Sequence, residues 1–259
     1  MALVAGPVSI SEARKLSGLR LVVLQGFPSP WSQAAKAILR VKQLPYTLVH
    51  RTPSDPPGAL EAWTRQSSFP AAMFEQERPR TGWAEILLLA ERLAPEPALV
   101  PADPEQRALF FGLCHELCGE MGLGWARRLE SVVAGLARTP PDPIAKWLGD
   151  KYGFSPESAA LAPGRVRDVL GLLAELLAQS NARGGRYLLG AELTALDLYW
   201  ATFCNLVSPL PPELLTIPER MRPIFTHPDP AIHELLRKTG LLEHRDRIYR
   251  ERLELPVVL

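Results

Sequence analysis

The hydrophobic pattern at the start of the chain alternates between short apolar runs and segments with helical spacing. Residues 20–25, RLVVLQ, are rich in β-branched side chains and end at a glycine, which is typical of a buried strand. Residues 30–43 carry apolar side chains at helical spacing and stop before Pro45, which cannot continue a helix. YTLVH at 46–50 predicts the next strand. This order predicts two parallel strands joined by a crossover helix.

The following segments add a hairpin and a second helix to the same part of the chain. Residues 70–76, PAAMFEQ, predict a third strand, and the ERPR turn after it leaves little room for a fourth strand at 78–81. Residues 82–95, GWAEILLLAERLAP, have strong helical spacing. Together these elements predict a small mixed sheet with helices on its faces, which is an α/β layer architecture.

From about residue 104 the strand signals almost vanish and long helical patterns follow. The clearest are residues 104–136, 164–182 and 194–210. The proline-rich stretch 91–104 has the composition of a linker. We therefore expect an α/β domain over 18–95 and an all-α domain over 104–253, preceded by an N-terminal extension over residues 1–17.

Composition and charge narrow the class of protein. Apolar residues make up 47% of the 259 positions and charged residues 22%, as in globular proteins. The 29 Lys and Arg residues balance 28 Asp and Glu residues, so no electrostatic footprint for nucleic acid is expected. No apolar run reaches the ~18 residues of a membrane span, and the N-terminus lacks a signal-peptide pattern. Three cysteines suit a reducing compartment, so we expect a cytoplasmic protein without membrane partners.

The stretch FPSPWSQAAKAIL at 27–39 carries the first candidate chemistry. Ser29 and Ser32 form an S-x-x-S where a redox protein would have C-x-x-C. Proline is favoured at the first helical position, so Ser29 is predicted to be the helix N-cap. Helix N-termini also favour anions, including thiolates. The pattern therefore leaves two interpretations open, a simple cap or a site that stabilises an anion.

Four stretches together resemble the cytosolic glutathione transferase superfamily, in particular its serine-type members. The resemblance covers most of the chain and implies a thioredoxin-like N-terminal domain followed by an all-helical bundle. The LLGAELTALD segment, like the family's F-L-x-G-x-x-x-S/T-x-A-D, is the most specific. The four stretches are SPWSQAAKAIL at 29–39, SSFPAAMF at 67–74, ILLLAERL at 86–93 and RYLLGAELTALDLYWA at 186–201.

The resemblance implies a transferase with glutathione as its co-substrate. Such an enzyme stabilises the glutathione thiolate and transfers it to a small electrophile, which we expect to be hydrophobic. The partners implied are glutathione, that electrophile and a second copy of the chain in a homodimer. The alternative is a binding or protein-interaction protein that keeps the fold and has lost catalysis, since one fold supports many functions.

The resemblance also assigns roles to individual residues. Ser29 is the expected catalytic residue facing the thiol, with Ser32 as the second choice and a glutathione-binding residue. Phe69 and Pro70 occupy the family's cis-proline position, where the backbone of Phe69 would pair with the peptide ligand like a short added strand.

A third binding position is implied at the start of the helix over 82–95. Thr81 and Gly82 stand where the family has Glu-Ser, whose serine and backbone bind the γ-glutamyl carboxylate. Thr81 keeps a hydroxyl and Gly82 keeps a backbone N–H at a helix start, so both are candidates for the same contact.

The electrophile pocket is the least specific part of the resemblance. The segment GLGWARRLE at 122–130 matches a helix that borders the substrate groove in the family, where an arginine would attract an anionic group. Packing with a solvated charged face is the interpretation that these residues favour. The candidate pocket residues are Trp31, Met121, Trp125 and Arg128, with Arg127 as the alternative cation.

Two other patterns are interpreted as structural. Thr194 and Asp197 have the spacing of a helix N-cap and the residue that reaches back to its N–H. Cys114 and Cys118 lie one helical turn apart, and we interpret them as core cysteines because further metal ligands are missing from that face. We therefore predict no metal site.

Overall fold

The computed structural model describes residues 3–258, apart from the side chains of residues 220 and 223. The chain folds into two compact units. The first unit contains the residues up to Val100 together with those from Tyr249 onward, and the second contains Pro101–Ile248.

The first unit is built on a four-stranded mixed sheet. Its strands are β1 (Val4–Val8), β2 (Leu19–Val23), β3 (Tyr46–His50) and β4 (Ala71–Phe74), in the spatial order β1-β3-β2-β4. The central pair β2–β3 is parallel and β2–β4 is antiparallel, as predicted. After β4 a single bridge joins Ala72 and Arg80, where the sequence left little room for a strand.

Four helices accompany this sheet. They are α1 (Ile10–Ala13), α2 (Pro30–Val41), α3 (Ala59–Thr64) and α4 (Trp83–Leu93). The predicted helices over 30–43 and 82–95 are thus confirmed as α2 and α4, with ends that differ by at most two residues. Pro30 is the first residue of α2, where its fixed φ suits a helix start and its missing N–H costs nothing.

The N-terminal stretch adds a strand and a short helix to this unit. β1 pairs in parallel with β3, with Val4 opposite Tyr46. Ile10, in α1, is fully buried and belongs to the same apolar cluster as Val49. The sequence pattern missed β1 because its sequence, VAGPV, contains Gly and Pro, which are depleted in strands. The predicted extension therefore forms an edge of the sheet and part of the core.

The second unit is helical. Its helices are α5 (Pro104–Cys118), α6 (Leu123–Leu136), α7 (Pro143–Lys151), α8 (Pro156–Ala182), α9 (Ala195–Phe203), α10 (Arg222–Phe225), α11 (Pro230–Lys238) and the first part of α12 (Leu241–Arg252), with short 3₁₀ helices at Cys204–Leu206 and Glu219–Met221. Every residue of α9 is buried, so this helix is the centre of the unit. Among the helices that the structure describes, none combines the length and the apolar character needed to cross a bilayer.

The N-terminus of α9 confirms the predicted capping pair. The Asp197 carboxylate accepts the backbone N–H of Thr194 at 3.0 Å and its hydroxyl at 3.1 Å. The same carboxylate accepts the N–H of Leu188 and a bond from His244 Nε2, both at 2.9 Å. A carboxylate that is fully buried needs such partners. Thr194 and Asp197 are therefore folding residues that fix α9.

Candidate functional site

Ser29 lies at the N-terminus of α2, in the connection that follows β2. Gly26 turns the chain with a φ of +65°, a conformation that favours glycine. The N–H of Ser29 then donates to the carbonyl of Phe27 at 2.7 Å, and the backbone of Ser29 is extended. These local features place Ser29 at the N-cap position that the sequence predicted.

The hydroxyl of Ser29 does not act as a cap. An N-cap serine normally accepts the N–H of the second or third helical residue, yet the side chain of Ser29 makes no such bond to the described first turn of α2. The residue is half-buried. Ser29 therefore presents a hydroxyl at a helix N-terminus, where the helix dipole favours an anion.

Ser32 lies one turn further into α2 and is buried. Its side chain is 2% exposed, and its Oγ has no hydrogen-bond partner within the described part of the chain. Leaving a buried hydroxyl unpaired costs about 1–3 kcal/mol. The N-terminal turn of α2 thus holds a second polar group that the protein itself leaves unsatisfied.

The loop before β4 has the backbone form that the resemblance implied. The Phe69–Pro70 peptide bond is cis, and Pro70 is buried immediately before β4. The Gln66 side-chain amide donates to the carbonyls of Ser68 at 2.9 Å and Pro70 at 3.2 Å, which fixes this loop. Phe69 packs against the apolar cluster of the sheet. The loop is therefore held in one conformation beside the start of β4.

The N-terminus of α4 is engaged by a carboxylate of the chain itself. Gly82 is the N-cap residue, and the backbone N–H groups of Thr81 and Gly82 both donate to Glu85 Oε2 at 3.1 Å. The other oxygen of Glu85 accepts Arg78 Nη1 at 2.7 Å. Sequence reasoning missed Glu85, although an acidic residue three positions after an N-cap is the signal for this arrangement. The two candidate amides at this position therefore already have an acceptor.

His50, the last residue of β3, is a further polar residue that sequence reasoning missed. It pairs in register with Val23 of β2, so it lies at the carboxyl ends of the two central strands, from which the chain leads to Ser29. It is 5% exposed, and neither ring nitrogen has a hydrogen-bond partner among the residues described. Burial and the nearby Lys36 ammonium lower the pKa of His50, which keeps the imidazole neutral.

A polar cleft of about 490 Å³ opens at the same carboxyl end of the sheet. That volume lies within the range of small-ligand pockets. Most of its lining side chains carry hydroxyl, amide or imidazole groups rather than apolar groups. They include Ser9, Ser11, Gln25, His50, Thr52 and Ser54.

The residues predicted to line the electrophile pocket lie in different units, and each is described within its own unit. Trp31 is half-buried on α2 in the first unit. In the second unit, Trp125 Nε1 donates to the carbonyl of Tyr152 at 2.9 Å, and the two rings meet edge to face at 4.8 Å. The carbonyl of Met121 accepts Arg165 Nε at 3.1 Å. Trp125 therefore also contributes to packing, and Met121 holds Arg165 through its backbone carbonyl. The role of both as pocket residues stays a prediction.

Both arginines of α6 are buried in the second unit. Arg128 is 4% exposed and its guanidinium lies 5.6 Å from the ring centre of Phe225. Arg127 pairs with Glu130 and donates from Nε to the carbonyl of Leu206 at 3.0 Å. These contacts favour the packing interpretation of this segment over an exposed anion-binding role.

The cysteines are free and buried. Burial raises the pKa values of Cys114 and Cys118 well above the ordinary thiol value, so neither is a thiolate at neutral pH. Within the described residues, no group of His, Cys, Asp and Glu side chains has the arrangement of a metal site.

Comparison with solved structures relates this fold to the glutathione transferases. A glutathione S-transferase from Methylobacterium radiotolerans, in complex with glutathione sulfonate, aligns over 91% of this chain and 92% of its own, with 20% identity and a TM-score of 0.57. One from Methylobacillus flagellatus, with glutathione bound, aligns over 91% and 96%, with 10% identity and a TM-score of 0.60. Glutathione transferase Omega 3C from Trametes versicolor aligns over 95% and 93%, with 16% identity and a TM-score of 0.56.

These likenesses identify the class of fold. The chain has the fold of the glutathione transferases, with a thioredoxin-like N-terminal part and a helical C-terminal part. The fold class predicted from the sequence is thus confirmed. Neither a family model nor a curated protein sequence matches the chain.

Proposed function

We propose that this protein is a glutathione transferase-like enzyme. It binds glutathione in the first unit, stabilises the thiolate at the N-terminus of α2, and transfers it to a small hydrophobic electrophile. The observation that carries the proposal is the hydroxyl of Ser29, which lies at the N-cap of α2 without acting as a cap. In the reaction, the thiol proton leaves to water, the sulfur forms a bond to an electrophilic carbon, and the leaving group departs with its electron pair.

The physical contribution of the protein in this proposal is a lower thiol pKa. A free cysteine thiol has a pKa of about 8.5. A hydrogen bond donated to a charged group contributes about 1.5–3 kcal/mol, and a helix N-terminus adds about 0.3–1 kcal/mol. Because one pKa unit corresponds to about 1.4 kcal/mol, Ser29 and α2 together are able to lower the thiol pKa by about 1–3 units. The thiolate then predominates near neutral pH.

The peptide part of glutathione has candidate contacts in the same unit. The cis Phe69–Pro70 loop precedes β4, where an extended ligand would pair with the backbone of Phe69. Ser32 offers its unsatisfied hydroxyl in the first turns of α2. The solved structures from Methylobacterium radiotolerans and Methylobacillus flagellatus hold glutathione sulfonate and glutathione, which supports a ligand of this kind for the shared fold.

A binding protein without catalysis is the second candidate, and one observation favours it. The N–H groups of Thr81 and Gly82, which are candidates for the γ-glutamyl carboxylate, donate to Glu85 instead. A protein that had lost glutathione binding would tolerate such a contact. We further propose a cytoplasmic homodimer, which the free cysteines and the resemblance support.

Calorimetric titration with glutathione, followed by an assay with an activated aryl halide, tests the enzyme proposal. We expect binding at millimolar glutathione or below and formation of the thioether product by the wild type. Ser29→Ala should lower the rate by about tenfold or more, since one charge-assisted hydrogen bond is lost. Ser131→Ala is the matched control, because its hydroxyl donates to the carbonyl of Arg127 in the second unit.

The same experiment separates the two candidates. Absence of binding at millimolar glutathione would contradict the enzyme proposal and favour a protein that has lost both glutathione binding and catalysis. Binding without product, for a range of electrophiles, would favour the non-catalytic alternative.

A further inference from the structure

Glu85 occupies the N-terminus of α4 with both of its carboxylate oxygens engaged. Oε2 accepts the N–H groups of Thr81 and Gly82 at 3.1 Å each, and Oε1 accepts Arg78 Nη1 at 2.7 Å. The carboxylate therefore satisfies two backbone donors and one guanidinium donor at the same time. A ligand carboxylate placed on the same two amides would have the same partners.

Glu85 is ionised at neutral pH in this position. Partial burial raises the pKa of its carboxyl, but the bonds from Arg78 and from the Thr81 and Gly82 amides outweigh burial and lower it. The N-terminus of α4 thus holds an ionised carboxylate, paired with Arg78, before any ligand arrives. A second carboxylate at the same place would meet repulsion as well as occupied donors.

We propose that Glu85 is an internal competitor for the carboxylate of the ligand and thereby sets the carboxylate specificity of this site. The inference rests on the proposed function, because it assigns Thr81 and Gly82 to the γ-glutamyl end of glutathione. Binding of that carboxylate requires Glu85 to leave the two amides. A ligand that lacks it meets no such competition.

The contact is suited to displacement because it lies near the surface. The side chain of Arg78 is 63% exposed and that of Glu85 is 37% exposed. Exposed ion pairs contribute little to stability, and both side chains are able to exchange their bonds for water. Glu85 is therefore held strongly enough to compete and weakly enough to move.

The test compares two ligands with four forms of the protein. The ligands are glutathione and cysteinylglycine, which lacks the γ-glutamyl group. Glu85→Ala removes the competing carboxylate, and Glu85→Gln removes its charge while keeping an acceptor oxygen for the amides. Glu61→Gln is the control, because it removes an exposed negative charge from α3 in the same unit. Thermal unfolding of each variant shows whether α4 tolerates the loss of its capping carboxylate.

We expect Glu85→Ala to tighten glutathione binding by about tenfold, the factor that one charge-assisted hydrogen bond supplies. Glu85→Gln should give a smaller gain in the same direction. Cysteinylglycine should bind the wild type and both variants equally, and Glu61→Gln should match the wild type. A gain in glutathione affinity that is larger for Glu85→Ala than for Glu85→Gln, with unchanged affinity for cysteinylglycine, would support the inference most strongly.

Other results overturn the inference. Equal glutathione affinity for the wild type and both Glu85 variants would show that Glu85 does not compete, while the proposed function would stand. Weaker glutathione binding by both variants would show that the Glu85 carboxylate assists binding, for example by pairing with the ammonium group of glutathione. Failure of all four forms to bind either ligand would remove the proposed function itself, and this inference with it.

Discussion

Ser29 and Ser32 belong to one S-x-x-S pattern, but the fold treats their hydroxyl groups differently. Ser29 is half-buried at the N-cap of α2, and Ser32 is buried one turn later. Neither hydroxyl is used where local structure would use it, since Ser29 does not cap α2 and Ser32 Oγ has no partner in the residues described. Natural proteins break local rules mainly at functional sites. The hydroxyl of Ser29, which is half-buried and does not cap the helix, therefore favours a ligand at the start of α2.

The unpaired hydroxyl of Ser32 leads to a prediction on stability. Ser32→Ala removes a buried polar atom that has no partner among the described residues, so the free energy of unfolding should rise by about 1 kcal/mol or stay unchanged. Urea denaturation measures this without ligand. Thr202→Ala is a useful comparison, because the buried Thr202 hydroxyl donates to the carbonyl of Leu198 at 3.0 Å and its loss should destabilise. Destabilisation by Ser32→Ala of about 2 kcal/mol or more, the cost of a lost buried hydrogen bond, would contradict the assignment.

At the scale of elements, Asp55 attaches α1 to the rest of the first unit. Its carboxylate accepts the N–H groups of Ser11 at 2.9 Å and Thr52 at 2.8 Å, and the hydroxyl of Ser11 at 3.0 Å. Burial raises the pKa of Asp55, but the bonds from Thr52 and Ser11 outweigh it and lower the pKa to about 2. The ionised carboxylate is therefore the form that holds α1.

Stability should depend on the pH through this group. Because the pKa is lower in the folded state, the contribution of Asp55 is fully present above its unfolded value of about 3.9 and is lost as the pH falls to about 2. The free energy of unfolding should drop by about 2 kcal/mol over that interval in the wild type, beyond the drop in Asp55→Asn. Identical pH profiles for the two proteins in urea denaturation would contradict this.

α9 depends in the same way on Asp197, which accepts bonds from Leu188, Thr194 and His244. Asp197→Ala leaves these donors unpaired in the interior, so we expect a loss of about 3–5 kcal/mol or failure to fold. Asp150→Ala, at an exposed position on α7, should change stability by less than about 0.5 kcal/mol. Urea denaturation of both variants measures the difference. A loss below about 1 kcal/mol for Asp197→Ala would show that water replaces these bonds.

Sequence patterns predicted the helices and strands that are determined by their own local sequence. α2, β3 and α4 follow from apolar periodicity with Pro30 and Pro45 as boundaries, and the Thr194–Asp197 pair follows from its i, i+3 spacing. The strand β1 was not predicted, because it is stabilised by pairing with the distant strand β3 rather than by its own composition.

The candidate site was predictable only in part. The S-P pair predicted the N-cap position of Ser29, and the resemblance implied the cis Phe69–Pro70 bond. The contact of Glu85 with Thr81 and Gly82 needed the observed hydrogen bonds, although its spacing is a capping signal. The isolation of the His50 ring depends on what packs around it, and a sequence pattern does not contain that information.

At the scale of the whole molecule, the fold is shared with glutathione transferases at 10–20% identity in the three structures described. A fold of this kind hosts more than one function, so the site has to carry the functional argument. In the proposed function, the N-terminus of α2 and the hydroxyl of Ser29 stabilise a thiolate, whichever electrophile the protein uses.

The most direct test is a pH titration of the thiolate absorbance of glutathione bound to the protein. We expect the bound thiol to titrate about 1–3 pH units below free glutathione, and Ser29→Ala to return about 1–2 units of that shift. Ser131→Ala should titrate like the wild type. A bound thiol that titrates like free glutathione, or a shift that survives in Ser29→Ala, would contradict the central claim.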